Sequence, residues 1–535
     1  MSAVVNTATP VPSRSAVSPA TNPWLGIVGV FLGAGVATLN GRLLTVGLPD
    51  LRGAMGFGFD EASWLTTALN MAMMFSGCFV VFLSSWFGPR RILLPCAVIF
   101  AVASTLLPLA PNYIAMLVLI VIAGVTSGTF YSLTMTFVLF SLPKRMIIFG
   151  IAAYAADIVF VTNIASLIEG WYIEHLSWHW IFWTAAVAAP LMAIFVYYGV
   201  SSRPAKDTSV SWRGFAYFSF GLALVYGALD QGERLDWLNS GVIVAMLAGG
   251  AFLLLATLVR RLRLPNPIVD LSFVFRRNVV VLALSILTFR FVLLATAMLI
   301  PAFLSTIQQC SPIETGRTLA WVALPLFGVV WIVAVLVVRT HSRVILAAGL
   351  ATVAVGSWAF THLDSSWAGN NFQAIELLLS CGFACSFIGL LASIVLEGLE
   401  LGAMTNVAAA ATYSGFMHFL RLFGGQVGAA FMGHLISTRE KLHSNLLGLQ
   451  VQSGSWLTDE RLHLLAAGFL PGSPGPDEAQ NRAVGILGRQ VQAQAYTLAI
   501  SDGFVVITWA VVAYLTLMLC LRPAKYSYQD LRKMK

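Results

Sequence analysis

The chain has 535 residues, of which 58% are hydrophobic and only 10% are charged, and its mean hydropathy is +0.83. Soluble domains carry about 25% charged residues, so this composition excludes an ordinary water-soluble protein. A net charge of +8 can indicate nucleic-acid binding in a soluble protein, but in a membrane protein it more often reflects basic residues kept on the cytoplasmic side. We therefore expect one membrane-embedded bundle and no nucleic-acid partner.

The first segment, residues 1–22, is rich in Ser, Thr, Pro and Ala and has Arg14 as its only charged side chain. This composition predicts a disordered cytoplasmic tail. The segment does not place basic residues directly before a short apolar core, as a signal peptide would, so we expect the first apolar span to stay in the mature protein.

Fourteen apolar segments then follow in groups of six, two and six, and each approaches the roughly 20 residues that a membrane-spanning helix needs. The first group lies near 24–49, 62–84, 92–110, 113–140, 147–168 and 179–200. The others lie near 214–229 and 239–259, and near 279–305, 318–338, 343–361, 372–396, 405–436 and 502–521. The pattern predicts an all-α polytopic membrane protein with 14 transmembrane helices in a 6+2+6 plan.

The spans divide the chain into predicted parts, namely the tail 1–22, a six-helix bundle 23–200, two extra helices 201–260, a second bundle 261–521 and a tail 522–535. With the amino terminus inside, twenty of the 31 basic residues lie in or beside inside segments and eight lie outside. This bias predicts that both termini are cytoplasmic. The outer segment 437–501 is long, polar and turn-rich near 471–476, and a loop of this length is usually functional or disordered.

No pattern in the sequence indicates an enzyme. The six cysteines form no CxxC pair and have no His at metal-ligand spacing, which argues against a disulfide framework and a zinc site. The sequence also contains no Gly-rich phosphate loop and no nucleophile elbow. We predict no catalytic residues, no metal and no cofactor.

Local motifs accompany the plan of spans. The thirteenth span carries Arg421, Gly424, Gly425 and Gly428, the run Asn-Pro-Ile-Val-Asp-Leu fills 266–271, and the extra helices are joined by a segment with Asp230, Gly232, Leu235, Asp236 and Trp237. These motifs and the 6+2+6 plan resemble the fourteen-helix drug:proton antiporter branch of the major facilitator superfamily, the EmrB/QacA type. The resemblance implies the major facilitator fold, in which two six-helix bundles rock around a central cavity and expose a midplane site to each side in turn.

The resemblance also implies an activity and partners. It implies a secondary active transporter in the cell inner membrane that exports a small organic molecule or drug and is coupled to protons. Besides this substrate and membrane lipid, a host with two membranes would supply a periplasmic adaptor and an outer-membrane channel. Two alternatives remain open, namely an organic-anion carrier or exchanger without classical proton coupling, and a transport-dead solute sensor.

Several charged positions depart from the family's pattern. The first-span acid that serves proton or cation handling in the family is matched here by Asn40, with Arg42 two positions later, and the fourth-span arginine is matched by Ile120. The fifth span gains Asp157 and has Glu169 in place of part of the family's Gly-Pro bend. An unpaired charge at the midplane costs roughly 2.5–3.5 kcal/mol or more, so we predict that Arg42 and Asp157 either form a pair or face water separately.

Ionisable residues in the spans mark the candidate substrate and coupling sites. Arg42, Arg290 and Arg421 favour an anionic or zwitterionic substrate, because arginine binds carboxylate or phosphate through two parallel hydrogen bonds. The candidate proton carriers are Asp157, Glu169, His418 and Asp502. His418 is alternatively a packed, hydrogen-bonded residue, and Asp502 alternatively stabilises the dipole at the start of the last span.

Three further patterns have both a packing and a functional interpretation. Gly88, Arg90 and Arg91 lie where the superfamily has a conformational latch loop, although the latch acid is replaced by Ser85 and the arginines also fit the positive-inside bias. A stripe of aromatic residues in the second span predicts either packing or a drug-binding wall, and it consists of Phe75, Phe79 and Phe82. Glycine pairs four residues apart predict either tight packing or a sliding surface, and they are Gly29 with Gly33, Gly124 with Gly128, and Gly424 with Gly428.

Overall fold

The computed structural model describes residues 22–142, 146–200, 212–263, 276–400, 407–472, 475–521 and 528. The ordered elements in these ranges are helices, and no strand occurs among them. The α-helices are α1 Pro23–Val46, α2 Leu48–Met55, α3 Phe59–Phe87, α4 Pro89–Leu106, α5 Tyr113–Ser141, α6 Ile147–His175, α7 Trp180–Gly199, α8 Trp212–Gln231, α9 Gly241–Arg263, α10 Arg277–Thr306, α11 Pro312–Arg339, α12 Ser342–Ala359, α13 Gly369–Glu400, α14 Val407–Gly448, α15 Trp456–Phe469 and α16 Pro476–Met518.

Helix length and composition agree with the predicted spans at most positions. Twelve of the described helices are long and apolar enough to cross a membrane. The exceptions among the predicted spans are α8 and α14, which lie where the seventh and thirteenth spans are predicted but do not reach the same hydropathy. The all-α membrane architecture is therefore confirmed, and the count of fourteen spans stays a prediction. The predictions for residues 1–21 and 266–271, and for the carboxyl-terminal tail apart from Tyr528, concern residues outside those described.

Helix ends follow from local sequence. The Asn112 side chain caps α5 by accepting a hydrogen bond from the Ala115 backbone N–H at 2.9 Å. At the start of α11, Ser311 and Glu314 form a reciprocal capping box directly before the apolar run. Gly56 ends the short α2 at φ 69°, a left-handed conformation that glycine adopts without a steric penalty. These ends fix where each apolar segment enters and leaves the bundle.

Glycine contacts set how closely helices of one bundle approach. Helices α1–α7 are called the N-terminal bundle, and α10–α14 with the second half of α16 the C-terminal bundle. A Cβ added at Gly29 would lie 2.9 Å from the Val196 backbone N in α7, and one at Gly424 would lie 2.8 Å from the Leu287 Cα in α10. A Cβ at Gly124 would similarly meet the Leu69 carbonyl oxygen in α3. All three predicted glycine pairs therefore pack tightly inside one bundle, as the packing interpretation predicts.

The two bundles meet along two seams. In the first seam, Gly170 of α6 lies against the backbone of Ile313 in α11, and Gly316 of α11 lies against Leu167. The second seam is formed by α3 and α5 against α14. The side on which α1 begins is called the near side and the opposite one the far side. The α6–α11 seam continues towards the near side through the Phe160 and Phe327 rings, whose centres are 4.5 Å apart. Because α6 ends and α11 begins on the far side, the backbone contacts at Gly170 and Gly316 close that side of the molecule.

The predicted outer loop 437–501 is wrong as a loop, because helices fill most of it. Helix α14 continues to Gly448, α15 forms within the segment, and α16 already begins at Pro476. These stretches are polar and helix-forming, so hydropathy cannot reveal them, while the predicted turn-rich run correctly marks the break between α15 and α16. Ala466 packs against Ala479 and Ala483, and these small side chains let the two helices approach closely.

The segment forms a structure that we call the outer hairpin, made of α15 and residues 476–494 of α16. Helix α12 ends on the far side just before Thr361, whose carbonyl oxygen accepts a hydrogen bond from the Ser501 hydroxyl at 2.6 Å. Ser501 therefore marks the level at which the membrane helices end on the far side. Residues 476–494 precede this level, and at 1.5 Å per residue they extend by roughly 28 Å. The outer hairpin therefore projects beyond the bundle on the far side.

Replacing Gly424 with Ala should destabilise the fold, because the added Cβ would meet the Leu287 backbone, which cannot rotate away. Overpacking typically costs about 1–3 kcal/mol, so the unfolding temperature of the detergent-solubilised protein should fall by several degrees. Gly433→Ala is the matched control on the same helix, since its added Cβ would lie 3.9 Å from the nearest atom, Met298 Cε. Equal unfolding temperatures for the two variants would contradict the close contact.

Candidate functional site

A cavity with a mainly apolar lining and two arginines lies between the two bundles. Its empty space measures about 440 Å³, part of it open to solvent. It is lined by Tyr131 and Tyr154 from the N-terminal bundle and by Ile286, Arg290, Phe387, Leu391, Ile394, Ser414, Met417, His418 and Arg421 from the C-terminal bundle. Several of these residues lie only about two turns from the near-side start of their helices, so the cavity occupies the near half of the molecule while the far side is closed.

Arg421 and Tyr131 join the two bundles in the cavity wall. The Arg421 guanidinium carbon lies 3.5 Å from the centre of the Tyr131 ring. This cation–π contact is stronger in a desolvated place than on a surface. The Tyr131 hydroxyl in turn hydrogen-bonds the Thr38 hydroxyl of α1, which fixes the ring. The predicted candidate Arg421 is therefore a cavity residue held by an aromatic face.

Arg290 is the second cation of the cavity. Its Nε donates to the Arg421 carbonyl oxygen at 3.3 Å. In the described ranges, its Nη1 and the Nε of Arg421 are buried without a hydrogen-bond partner. No Asp or Glu is among the residues that line the cavity. The site therefore presents two buried guanidinium groups with free donors, which is an arrangement that an anionic group would satisfy.

His418 lies one turn before Arg421 and owes its position to a glycine. Its Nε2 packs so closely against Gly77 of α3 that a Cβ there would collide with it. Neither ring nitrogen of His418 has a hydrogen-bond partner among the described residues. His418 is thus packed at the cavity, as one interpretation predicts, but the hydrogen bond that this interpretation includes is not found.

Asp157 and Arg42 do not form the predicted ion pair in this structure. Asp157 lies opposite Gly35 of α1, where an added Cβ would be 2.5 Å from its Oδ1, and its Oδ2 has no partner in the described part of the chain. Gly35 and Arg42 are seven residues apart, so Arg42 lies about 10 Å further along α1. The register of α6 against α1 therefore separates the two charges. Asn40, the other first-span candidate, is buried with its side-chain oxygen unpartnered within the described ranges.

Glu169 lies outside the cavity, at the far-side closure. It is fully buried beside the α6–α11 contact, and a Cβ at Gly47 would lie 3.2 Å from its Oε1. Both carboxylate oxygens lack a hydrogen-bond partner among residues that the structure describes. The structure therefore separates Glu169 from Asp157, although both belong to α6.

Asp502 lies in the interior of α16 because this helix begins at Pro476. The predicted role of Asp502 at the start of a helix is therefore wrong. Its Oδ2 lies 2.9 Å from His443 Nε2 and 3.5 Å from Arg439 Nε, in a partly exposed cluster on the far side. This cluster ties α14 to α16 and is separate from the cavity.

The basic turn Gly88 to Arg91 has contacts within its own bundle. Gly88 adopts φ 80°, and the Arg90 guanidinium carbon lies 4.4 Å from the Tyr197 ring centre in α7. Arg91 is exposed. These contacts neither require nor oppose motion between the bundles, so the latch role of Gly88, Arg90 and Arg91 stays a prediction.

Sequence reasoning missed several residues of the site. Tyr131 and Tyr154 show no special signal in the sequence, because tyrosines are common in membrane helices. Outside the cavity, Glu376 near the far-side start of α13 was also missed; it is fully buried with both oxygens unpartnered in the described ranges, and its charge in a predicted span could have revealed it. The aromatic stripe has a packing role, since Phe75 lies 4.4 Å from Phe220 of α8 between ring centres.

Sequence comparisons place this architecture in a family. The family model described as Major Facilitator Superfamily matches residues 30–431. The colistin resistance protein EmrB of Acinetobacter baumannii is 24% identical over 94% of this chain and 97% of that protein. The fatty acid resistance protein FarB of Neisseria gonorrhoeae is 24% identical over 87% of this chain and 89% of that protein. The multidrug export protein EmrB of Haemophilus influenzae is 23% identical over 76% and 79%, respectively.

Solved structures show the same fold. The proton:xylose symporter XylE superposes with a TM-score of 0.58 at 12% identity, covering 96% of this chain and 98% of that chain. The human organic anion transporter MFSD10 superposes with a TM-score of 0.54 at 14% identity, covering 92% of this chain and 100% of that chain. From the helical bundles, the cavity between them and these matches, we conclude that the chain belongs to the Major Facilitator Superfamily and is a multi-pass membrane transporter of the EmrB type, not an enzyme.

Proposed function

We propose that this protein exports a small organic molecule from the cytoplasm across the cell inner membrane by alternating access, driven by the proton gradient. The observation that carries the proposal is the arginine-containing cavity between the two bundles, which lies in the near half while the Gly170 and Gly316 contacts close the far side. With the near side cytoplasmic, as the basic residues predict, this arrangement would receive a substrate from the cytoplasm. The names of the EmrB relatives, which are export and resistance proteins, support the direction.

Asp157 is the coupling residue that the geometry favours. It lies on α6 one turn from Tyr154, which lines the cavity, and one of its oxygens is unpartnered within the described residues. A carboxylate without a partner in a low-dielectric region gains much from binding a proton. Glu169 lies at the far closure and Asp502 lies on the far surface, so neither has the same access to the substrate. Rocking of the bundles would expose Asp157 to each side in turn.

Substrate flux in proteoliposomes with and without an imposed pH gradient tests this proposal. The unmodified protein should move substrate several-fold faster with the gradient, and Asp157→Asn should lose that stimulation because an amide cannot carry the proton. Asp364→Asn, which changes an exposed acid outside the cavity, is the matched control and should keep it. Equal stimulation in all three proteins would contradict the role of Asp157. Substrate binding without flux in any condition would instead favour the transport-dead sensor.

An organic anion is the substrate class that the cavity favours. The two guanidinium groups of Arg290 and Arg421 have free donors, and no acid is among the lining residues of the described chain. The aromatic faces of Tyr131, Tyr154 and Phe387 provide an apolar surface beside them. The names of FarB, a fatty acid resistance protein, and MFSD10, an organic anion transporter, are in line with this class. Transport of the anion is then either coupled to protons or, in the alternative, that of an organic-anion carrier or exchanger without classical proton coupling.

Replacing Arg421 with Gln should lower the flux of an aromatic monocarboxylate at least tenfold, because the bound carboxylate would lose a charge-assisted hydrogen bond. A tenfold loss corresponds to about 1.4 kcal/mol. Arg317→Gln removes an exposed far-side charge and should leave the flux within twofold. A lipophilic cation serves as the second probe. Transport of the cation alone, with no flux of the carboxylate, would dispose of the anion proposal.

The outer hairpin is the surface that would meet a periplasmic adaptor, and through it an outer-membrane channel. It projects from the far side and exposes apolar residues on α15, with Trp456 75% exposed and Leu464 62% exposed. Exposed large apolar residues outside the membrane commonly mark a protein interface. The adaptor would be of the kind that the EmrB resemblance implies.

Trp456→Ala combined with Leu464→Ala should abolish co-purification with an EmrB-type adaptor of the host, while flux in proteoliposomes remains unchanged. The loss is expected because these side chains supply exposed apolar area on the outer hairpin. Trp509→Ala is the matched control. Trp509 is also an exposed tryptophan, at 67%, but it lies on the apolar part of α16, outside the outer hairpin. Unchanged co-purification of the double variant would contradict the proposed contact.

A further inference from the structure

Helix α8 lies over the seam between the two bundles. Its residues Leu222 and Tyr226 share an apolar cluster with Met74 and Cys78 of α3. The same helix reaches the C-terminal bundle, where Phe218 and Phe419 of α14 have ring centres 6.0 Å apart. One of the two extra helices is therefore in contact with both bundles along the α3–α14 seam.

Asp230, near the far end of α8, connects the bundles through hydrogen bonds. Its Oδ2 accepts from the hydroxyl of Thr67 in α3, and its Oδ1 accepts from Gln426 Nε2 in α14 at 2.8 Å. A carboxylate is well suited to this position because each of its oxygens accepts a hydrogen bond from a different partner. Asp230 also belongs to the motif, in the segment that joins the extra helices, on which the family resemblance rests. Packing inside one bundle does not explain why an acid stands at this position.

The residues after Asp230 extend this connection to both bundles. Towards α3, Gln231 Nε2 donates to the Ser63 carbonyl oxygen at 3.3 Å and also contacts the Thr67 hydroxyl. Arg234 forms an ion pair with Asp60 at the start of α3 and donates to Gln231 Oε1 at 2.6 Å. The N-terminal bundle is therefore held by several polar contacts that support one another.

The C-terminal bundle is held by fewer contacts. Apart from Gln426, the contacts are made by Glu233, whose Oε2 lies 2.7 Å from His434 Nδ1 and which also accepts a hydrogen bond from Ser437, both residues of α14. Burial opposes ionisation of Glu233, but hydrogen bonds from His434 and Trp237 outweigh it and hold the pKa of this carboxyl below its usual range. The pair is partly exposed, so it separates at a smaller cost than a buried pair would.

We propose that residues 230–237 form a clamp across the far side of the α3–α14 seam, which stays with the N-terminal bundle and releases Gln426 and His434 when the far side opens. This inference rests on the alternating access proposed above. It assigns the extra helix pair a conformational role, because the far side cannot open while the clamp holds both bundles. The asymmetry of the contacts decides which bundle is released.

Two cross-links of matched size test which bundle is released. One joins Glu233→Cys to His434→Cys, and the other joins Asp60→Cys to Arg234→Cys, in a chain whose six native cysteines are replaced. A short reducible bis-methanethiosulfonate reagent is used, because contacting long side chains place their Cα atoms further apart than a disulfide permits. Opening is measured by hydrogen exchange at residues 312–318, the far-side start of α11, and transport is measured as proteoliposome flux of the aromatic monocarboxylate.

The 233–434 link should slow hydrogen exchange at 312–318 at least fivefold and reduce flux at least tenfold, and reduction of the reagent should restore both. The 60–234 link should leave both within twofold of the reduced protein. Unimpaired exchange and flux in the 233–434-linked protein would overturn the proposal, and so would equal inhibition by both links. The exchange measurement needs no substrate. If the exchange difference appears but no reduced protein transports, the clamp is supported and the proposed export is refuted.

Discussion

The burial of two guanidinium groups between the bundles is the constraint on which the site depends. Arg290 and Arg421 are each only 6% exposed, and cations in a low-dielectric region are costly unless other groups stabilise them. The Tyr131 ring stabilises the Arg421 guanidinium, and the Arg421 carbonyl oxygen accepts a hydrogen bond from Arg290, so part of this cost is offset. Arg290 Nη1 and Arg421 Nε remain without a hydrogen-bond partner among the described residues. A transporter that must bind an anion and later release it benefits from such incomplete compensation, since complete pairing within the protein would leave nothing for the substrate.

Small residues decide how closely the charged helices approach one another. Gly77 gives His418 its place beside the Tyr131 ring, and Gly35 gives the Asp157 carboxylate its place against α1. On the far side, Gly170 and Gly316 allow α6 and α11 to touch through their backbones. In each case a methyl group would collide with a neighbouring atom. Without a strong hydrophobic force between helices in lipid, this kind of close contact supplies much of the stability.

The sequence predicted the helices well wherever they lie in apolar surroundings, since apolar length is a direct requirement of the bilayer. It failed for the outer segment 437–501, because the polar helices there carry no hydropathy signal. It left open whether Arg42 and Asp157 form a pair, and the structure separates them. Both residues were correctly identified as unusual, but their neighbours depend on the register of α1 against α6. Gly35, which faces Asp157 instead, carries no charge that sequence reasoning would notice.

By itself, the sequence determined the membrane environment, the helical architecture, the resemblance to EmrB-type transporters and the presence of arginines in the spans. These features follow from composition, from apolar length and from local motifs, which are properties of single segments. The tertiary structure alone decided that Arg290 and Arg421 share one cavity, that Asp157 lies near it, and that Glu169 and Asp502 lie elsewhere. Such relations depend on how helices far apart in the chain pack side by side, and a shift of one turn between two helices changes which side chains meet.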